Sequence, residues 1–153
     1  MTTIKEKMPR GIRNCNPLNI IRTKTKWAGM AAEQTDPKFV QFANMRWGLR
    51  AAFITLRNYY KKYGLTTVEQ VITRWAPPSD GNDTETYIET VCSTIDYGPN
   101  QLMPDIDDYP VSWCALVRAM AIVEVGEKWA FTISLNDLVV AWHMMQLARE
   151  SKA

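Results

Sequence analysis

The spacing of apolar residues predicts that the chain is mostly helical from residue 49 onward. Over residues 49–63 apolar side chains recur at intervals of three and four: Leu49, Ala52, Phe53, Leu56, Tyr60 and Tyr63. That interval matches the 3.6-residue period of an α-helix with one face turned inward. Gly64 follows the run, as expected for a residue that ends a helix.

Start and stop signals predict four more helices. A capping-box pattern that begins at Thr66 opens the second helix, which ends before Pro77 because proline cannot continue a helix. A third helix begins near Asp83, a fourth covers residues 112–125, and Ser134 caps the last.

Residues 14–42 lack a helical period. They contain short strand-like fragments, among them the alternating residues 39–42, separated by turn signals at Gly29 and at Asp36, which precedes a proline. This segment is therefore a small antiparallel sheet or a long ordered loop. The predicted fold class is α+β and mostly helical, with about five helices and a small β-lobe near the N-terminus.

The length of 153 residues favours one domain. Residues 1–12 are polar and basic and predict a flexible arm, followed by a single domain over residues 13–153. The N-terminal residues have charges where a signal peptide needs an apolar stretch, so synthesis in the cytoplasm without a signal is expected. The longest apolar run, 111–125, is interrupted by Arg118 and Glu124 and is too short to span a bilayer.

Residues that could hold a metal are scarce. Three cysteines at irregular spacing form no CxxC pair and a poor disulfide framework, and His143 is the only histidine. A histidine-ligated zinc site needs more ligands than these. Neither a metal nor a cofactor is expected.

Charge is distributed unevenly along the chain. Residues 1–75 contain 14 basic and 4 acidic side chains, whereas residues 76–153 contain 4 and 12, which gives net charges of +10 and −8. One interpretation is that the two halves pack together and complement each other. The other is that the basic half forms a face for an anionic polymer, either cell-wall material or nucleic acid.

Three asparagines surround a proline in the run RGIRNCNPLNI at residues 10–20. Asparagine side chains satisfy turns by bonding to nearby backbone, and Pro17 makes the bend rigid. The same amides could also bind sugar hydroxyls and N-acetyl groups. Both a structured turn and a ligand surface remain open for this run.

Five short runs of the chain resemble a phage- and prophage-borne family with an R-N-x-N-P-x-N-I motif. In sequence order they are RGIRNCNPLNI, WAG, QTDPKFVQF, WGLRA and RWAPP. The resemblance covers about residues 10–91. The family is similar to lysozyme-like glycan hydrolases and lytic transglycosylases and distantly to glucosaminidases, and some members are described as virion structural proteins.

This resemblance implies an enzyme of the lysozyme or lytic transglycosylase type that cleaves the glycan strands of peptidoglycan. The alternative is a non-catalytic wall-binding or virion structural protein with the same fold, and a third possibility is nucleic-acid binding. The expected partners are peptidoglycan and other virion or secretion proteins. The expected place of action is the cell wall or a phage particle.

Glycosidic cleavage needs a carboxylic acid that protonates the leaving oxygen, assisted by a second carboxylate or by the substrate itself. The candidate catalytic residues are Glu33 and Asp36, because a carboxyl placed between Trp27 and Phe39 could have its pKa raised by desolvation. The competing interpretations are a turn cap for Asp36 and a solvated charge for Glu33. Glycan hydrolases of this kind usually place the acid upstream of the asparagines, where this chain has only Glu6.

The candidate substrate-binding residues are polar or aromatic and stand in the motif region: Arg13, Asn14, Asn16, Asn19, Trp27, Asp80 and Tyr87. We expect residues 13–20, residues 27–42 and the segment after Pro78 to line one cleft. Packing in the core is the competing interpretation for Tyr87, whose spacing along its helix suits an inward position.

Overall fold

The computed structural model describes residues 8–151, and the side chains of residues 8–148. Within that range the chain forms seven α-helices: α1 Arg10–Arg13, α2 Met45–Lys61, α3 Val68–Trp75, α4 Thr84–Ile95, α5 Pro110–Val125, α6 Glu127–Ala130 and α7 Leu135–Ser151. A single 3-10 turn, Pro78–Asp80, lies between α3 and α4. The prediction of a mostly helical chain is confirmed.

The long helices begin where local side chains cap them. In α2 the side chain of Asn44 accepts a hydrogen bond from the Trp47 amide at 3.2 Å, so the helix starts four residues before the predicted run. In α3 the cap is Thr67, paired with Gln70, one residue later than the predicted box. The Asp83 carboxylate caps α4 through the Thr86 amide at 3.2 Å.

Helix α5 supplies much of the core and packs against α4, α6 and α7. Its side chains Trp113, Leu116 and Met120 are fully buried together with Phe53 of α2 and Leu138 of α7. Burying a large apolar side chain stabilises a fold by about 1.5–3 kcal/mol. All five of these side chains belong to one hydrophobic cluster, so their burial holds α2, α5 and α7 together.

The predicted β-lobe is not confirmed. Within the described residues, segment 14–42 makes only isolated antiparallel bridges, Ile21 to Phe39 and Met30 to Phe42. Backbone hydrogen bonds join these stretches, among them those from the Val40 amide to the Ile20 carbonyl and from the Arg22 amide to the Lys38 carbonyl. The Asn16 side chain adds to them, since it accepts from the Ile20 amide and donates to the carbonyl oxygens of Ile20 and Val40, at 2.9–3.0 Å. The segment is thus the long ordered loop that the sequence left as the alternative.

None of the helices in the described part of the chain is long and apolar enough to cross a membrane. Residues 1–7 of the predicted arm lie outside the described residues, and residues 10–13 form the short helix α1. The division into an arm and a single domain stays a prediction.

Candidate functional site

Asp36 lies in a dense set of hydrogen bonds. Both carboxylate oxygens accept from the Arg10 guanidinium, at 2.6 and 2.7 Å, and the Asn14 amide donates at 3.0 Å. The backbone amides of Lys38 and Phe39 each donate at 2.8 Å. Arg10 above all, with these amides, holds the pKa of the Asp36 carboxyl well below its usual range. An ionised carboxylate that already accepts five hydrogen bonds suits turn capping better than proton donation.

The first two asparagines of the motif point into the loop. Asn14 and Asn16 are buried, and the Asn14 side chain also accepts from Gln41 at 3.2 Å. Their amides stabilise segment 14–42, as a structured turn requires. The side chains of Arg13 and Glu33, in contrast, are exposed, and Glu33 lines none of the cavities described below. Glu6 lies outside the described residues.

A surface groove runs between the loop segment 18–39 and the segment 75–90. It consists of three neighbouring cavities of about 290, 130 and 260 Å³. Asn19 and Trp75 line both the first cavity and the second, whereas Asn82 and Glu124 line both the second and the third. Because neighbouring cavities share these residues, they form one elongated groove rather than separate sites.

Glu124, in the last turn of α5, lies at the centre of this groove. One of its carboxyl oxygens accepts from the Asn19 amide and the other from the Tyr87 hydroxyl, both at 2.9 Å. The Trp75 side chain lies close enough to favour the ionised form as well. Burial raises the pKa of Glu124, and these neighbours lower it only in part. All of them are uncharged, so no cation stabilises the ionised carboxylate.

The aromatic end of the groove is the cavity of about 290 Å³. Trp27, Tyr59 and Trp75 line it, and the rings of Tyr59 and Trp75 meet edge to face with centroids 6.1 Å apart. Trp27 and Trp75 are half-buried, so each keeps an exposed surface. Flat aromatic surfaces beside polar groups are suited to stacking on the faces of sugar rings.

The groove contains four of the predicted substrate-binding residues: Asn19, Trp27, Asp80 and Tyr87. Asp80 is exposed and lines the central cavity together with Glu124. Burial, followed by the nearby Glu124 carboxyl, raises the pKa of Tyr87 well above its ordinary value, so its hydroxyl stays a hydrogen-bond donor. The structure thus brings Asn19 and Asp80 into one cavity and leaves Glu33 outside it.

Sequence reasoning missed Glu124 as a candidate. The available signal was a lone acid in an otherwise apolar run, because Arg118 and Glu124 are the only charges in residues 111–125. An acidic side chain on the inward side of a core helix is costly unless it is hydrogen-bonded. Its partners Asn19 and Tyr87 stand 105 and 37 residues away, so their convergence follows only from the tertiary fold.

Within the described part of the chain, no group of three or more histidine, cysteine or acidic side chains is arranged to hold a metal ion. Cys15 is half-buried, and burial raises the pKa of its thiol, which disfavours the reactive thiolate. The central cavity itself is lined by the carboxyl groups of Asp80 and Glu124.

Fold and groove together define a mostly helical domain with a partly buried glutamate, whose pKa is raised, at the centre of an aromatic-lined surface groove. No protein-family model matches the chain. It is 40% identical over 122 residues to Protein P5 of Pseudoalteromonas phage PM2, an alignment that covers 78% of this chain and 72% of that protein. The chain therefore belongs to the same family as this phage protein.

Proposed function

We propose that the protein cleaves the glycan strands of peptidoglycan, as a lysozyme-like enzyme or lytic transglycosylase, with Glu124 as the general acid. The observation that carries the proposal is the raised pKa of the Glu124 carboxyl at the centre of an open groove. A general acid must hold its proton near neutral pH and still reach the substrate. Among the carboxyl groups of the groove, Glu124 combines burial with access to a cavity.

In the proposed reaction the protonated Glu124 carboxyl donates its proton to the glycosidic oxygen as the bond to the sugar breaks. Positive charge then develops on the sugar ring, and a second carboxylate or the substrate's own acetamido group stabilises it. Asp80 is placed for the first role because it lines the same cavity and remains exposed to water. Two carboxyl groups in unlike surroundings are the arrangement that this chemistry uses.

The rest of the groove suits a chain of sugars. Trp27 and Trp75 offer ring surfaces at one end, and Asn82 lines both the central cavity and the far one. The shared lining residues give a site longer than a single ring, as a polymeric substrate requires. Asn19 contacts Glu124 directly, so it orients the acid rather than the sugar.

The second candidate is a wall-binding or virion structural protein that uses the same groove without turnover. Kinship with a phage protein is compatible with this candidate and with an enzyme alike. Nucleic-acid binding ranks third. The exposed carboxylate of Asp80, which lines the central cavity, would repel phosphates.

The deciding experiment incubates purified sacculi with the protein and identifies any released fragments by mass spectrometry. We expect wild type and the matched control Glu89→Gln, which alters an exposed glutamate of α4, to release the same products. Glu124→Gln should release none while still binding sacculi. Turnover by Glu124→Gln at the wild-type rate would refute the assignment of the acid. Absence of turnover by wild type would favour the binding or structural function.

A further inference from the structure

One wall of the groove carries cations at its surface. Lys38 lines the central cavity together with Glu124. Arg22, Lys24 and Lys26 are exposed and lie next to Thr23 and Trp27, which line the aromatic cavity, but they do not line it themselves. Lys38 therefore stands in the groove, and the other three cations lie beside it in the sequence of the same loop.

Three of these cations are not neutralised by the protein. Within residues 8–148, no carboxylate pairs with Lys24, Lys26 or Lys38, and the Lys38 ammonium lies 5.2 Å from the centre of the Phe39 ring. Other cations of the same half of the chain do find partners inside the fold, in four pairs: Arg10 with Asp36, Arg46 with Asp137, Arg57 with Asp107, and Lys61 with Asp105. Three of these pairs join the two halves of the chain, and none of their residues lines the groove.

The opposite wall has the opposite sign. Asp80 lines the central cavity and Asp83 the far one, both are exposed, and residues 76–90 contain neither lysine nor arginine. A uniform polyanion such as a nucleic acid would meet repulsion along this wall. A neutral glycan with carboxylates on one side would meet attraction from the lysines and little repulsion, because exposed charges beyond about 10 Å are screened.

We propose that Lys38, with Lys24 and Lys26, binds carboxylate substituents of the glycan, so that the preferred ligand is peptide-substituted rather than bare glycan. The carboxylates of peptidoglycan's peptide stems are the anionic groups that this wall would recognise. The inference rests on the proposed function for the identity of the polymer, but it concerns binding and not the cleavage step. Exposed ion pairs are weak individually, so each lysine should change affinity by about fivefold or less.

The test measures binding of the whole protein to sacculi free of teichoic acids, in native form and after their carboxylates are converted to neutral amides with ethanolamine. We expect amidation to weaken binding about tenfold or more at low salt, and the difference to shrink at high salt. Lys38→Gln and Lys24→Gln/Lys26→Gln should weaken binding to native sacculi and leave binding to amidated sacculi unchanged. Lys128→Gln, an exposed lysine of α6 that lines none of the three cavities, is the matched control.

Equal binding to native and amidated sacculi would overturn the inference, as would equal losses in the lysine variants and in Lys128→Gln. Binding to neither form, or duplex DNA that outcompetes native sacculi, would overturn it too. These outcomes are independent of catalysis. A protein that binds in a carboxylate-dependent way without releasing fragments would support the lysine site and refute the enzyme, whereas cleavage without carboxylate dependence would do the reverse.

Discussion

Asp36 in the loop and Glu124 in the groove are both carboxyl groups that accept an asparagine amide, yet their pKa values shift in opposite directions. Asp36 accepts from the Arg10 guanidinium above all, and also from two backbone amides, which lowers its pKa. Glu124 faces neutral donors, among them the Asn19 amide, and burial prevails, so its pKa rises. The comparison teaches that a charged donor and burial act against each other on the pKa of a carboxyl, and that the larger of the two sets the direction of the shift.

Glu124→Gln should have the largest effect of the variants that test this contrast, and the effect is on the rate of turnover. Loss of the proton donor should lower turnover on sacculi by a factor on the order of 10²–10⁴. The unfolding free energy at pH 7 should stay the same or rise, because glutamine accepts hydrogen bonds without burying a charge. Denaturant titration beside the fragment assay checks both parts, and a variant that unfolds would show that Glu124 is a structural residue.

Asp36→Asn should show the reverse pattern. The Arg10 guanidinium loses its ionic partner, and we expect the unfolding free energy to fall by about 2 kcal/mol, toward the lower part of the range for charged hydrogen bonds because Arg10 is partly in solvent. Turnover should persist at temperatures where the variant is folded. Glu33→Gln is the control and should change neither quantity, since an exposed substitution usually alters stability by less than about 0.5 kcal/mol. Activity lost in Glu33→Gln or in folded Asp36→Asn would restore the loop carboxyls as the catalytic pair.

Asn19→Gly removes one neutral donor from Glu124 and keeps the positive φ of 54° that glycine accepts readily. The lost hydrogen bond stabilised the ionised form, so the Glu124 pKa should rise further and the alkaline limb of the pH–rate profile should move to higher pH. We expect less than a tenfold change in turnover at the optimum. An unchanged profile with a raised KM would instead assign Asn19 to substrate binding.

The smallest expected effect is on the way the unfolding free energy depends on pH, and its sign differs between Asp36 and Glu124. Asp36 has a lowered pKa, so it stabilises the fold above its unfolded pKa of about 3.9, and this contribution disappears as pH falls. Glu124 has a raised pKa, so its contribution is complete below its unfolded pKa of about 4.3 and is lost as pH rises through its folded pKa. Relative to each amide variant, wild type should therefore lose stability toward acid for Asp36 and toward neutral pH for Glu124. Slopes of the same sign would contradict the comparison.

Local signals in the sequence predict the helices well. The apolar period of α2, the cap at Asp83 and the Ser134 hydroxyl, which accepts from the Asp137 amide at 2.9 Å, each act within one or two turns of chain. The loop 14–42 was harder to predict because its backbone pairing is confined to isolated bridges and the side chains of Asn16 and Gln41 add further hydrogen bonds, which alternation alone does not reveal.

The site was predicted only in part for a related reason. Polarity and motif position selected Asn19, Trp27 and Asp80 as candidates, and all three line the groove. Asp36 was selected because of Trp27 and Phe39, whereas its pKa is lowered above all by Arg10, which is 26 residues away. Glu124 depends on a loop and a helix that approach it from distant positions in the sequence. No local pattern carries that information.

The contact between α2 and the loop limits which sequences this site can tolerate. Any side chain at Gly48 would overlap the carbonyl oxygen of Cys15, whose φ of 53° is itself unusual for a residue with a side chain. Relief of that overlap would move the loop away from the helix, and Asn19 lies four residues further along the same loop. Position 48 touches neither substrate nor acid, yet in a mutational scan it should be as intolerant as Glu124, and a screen for active variants would recover glycine there almost without exception.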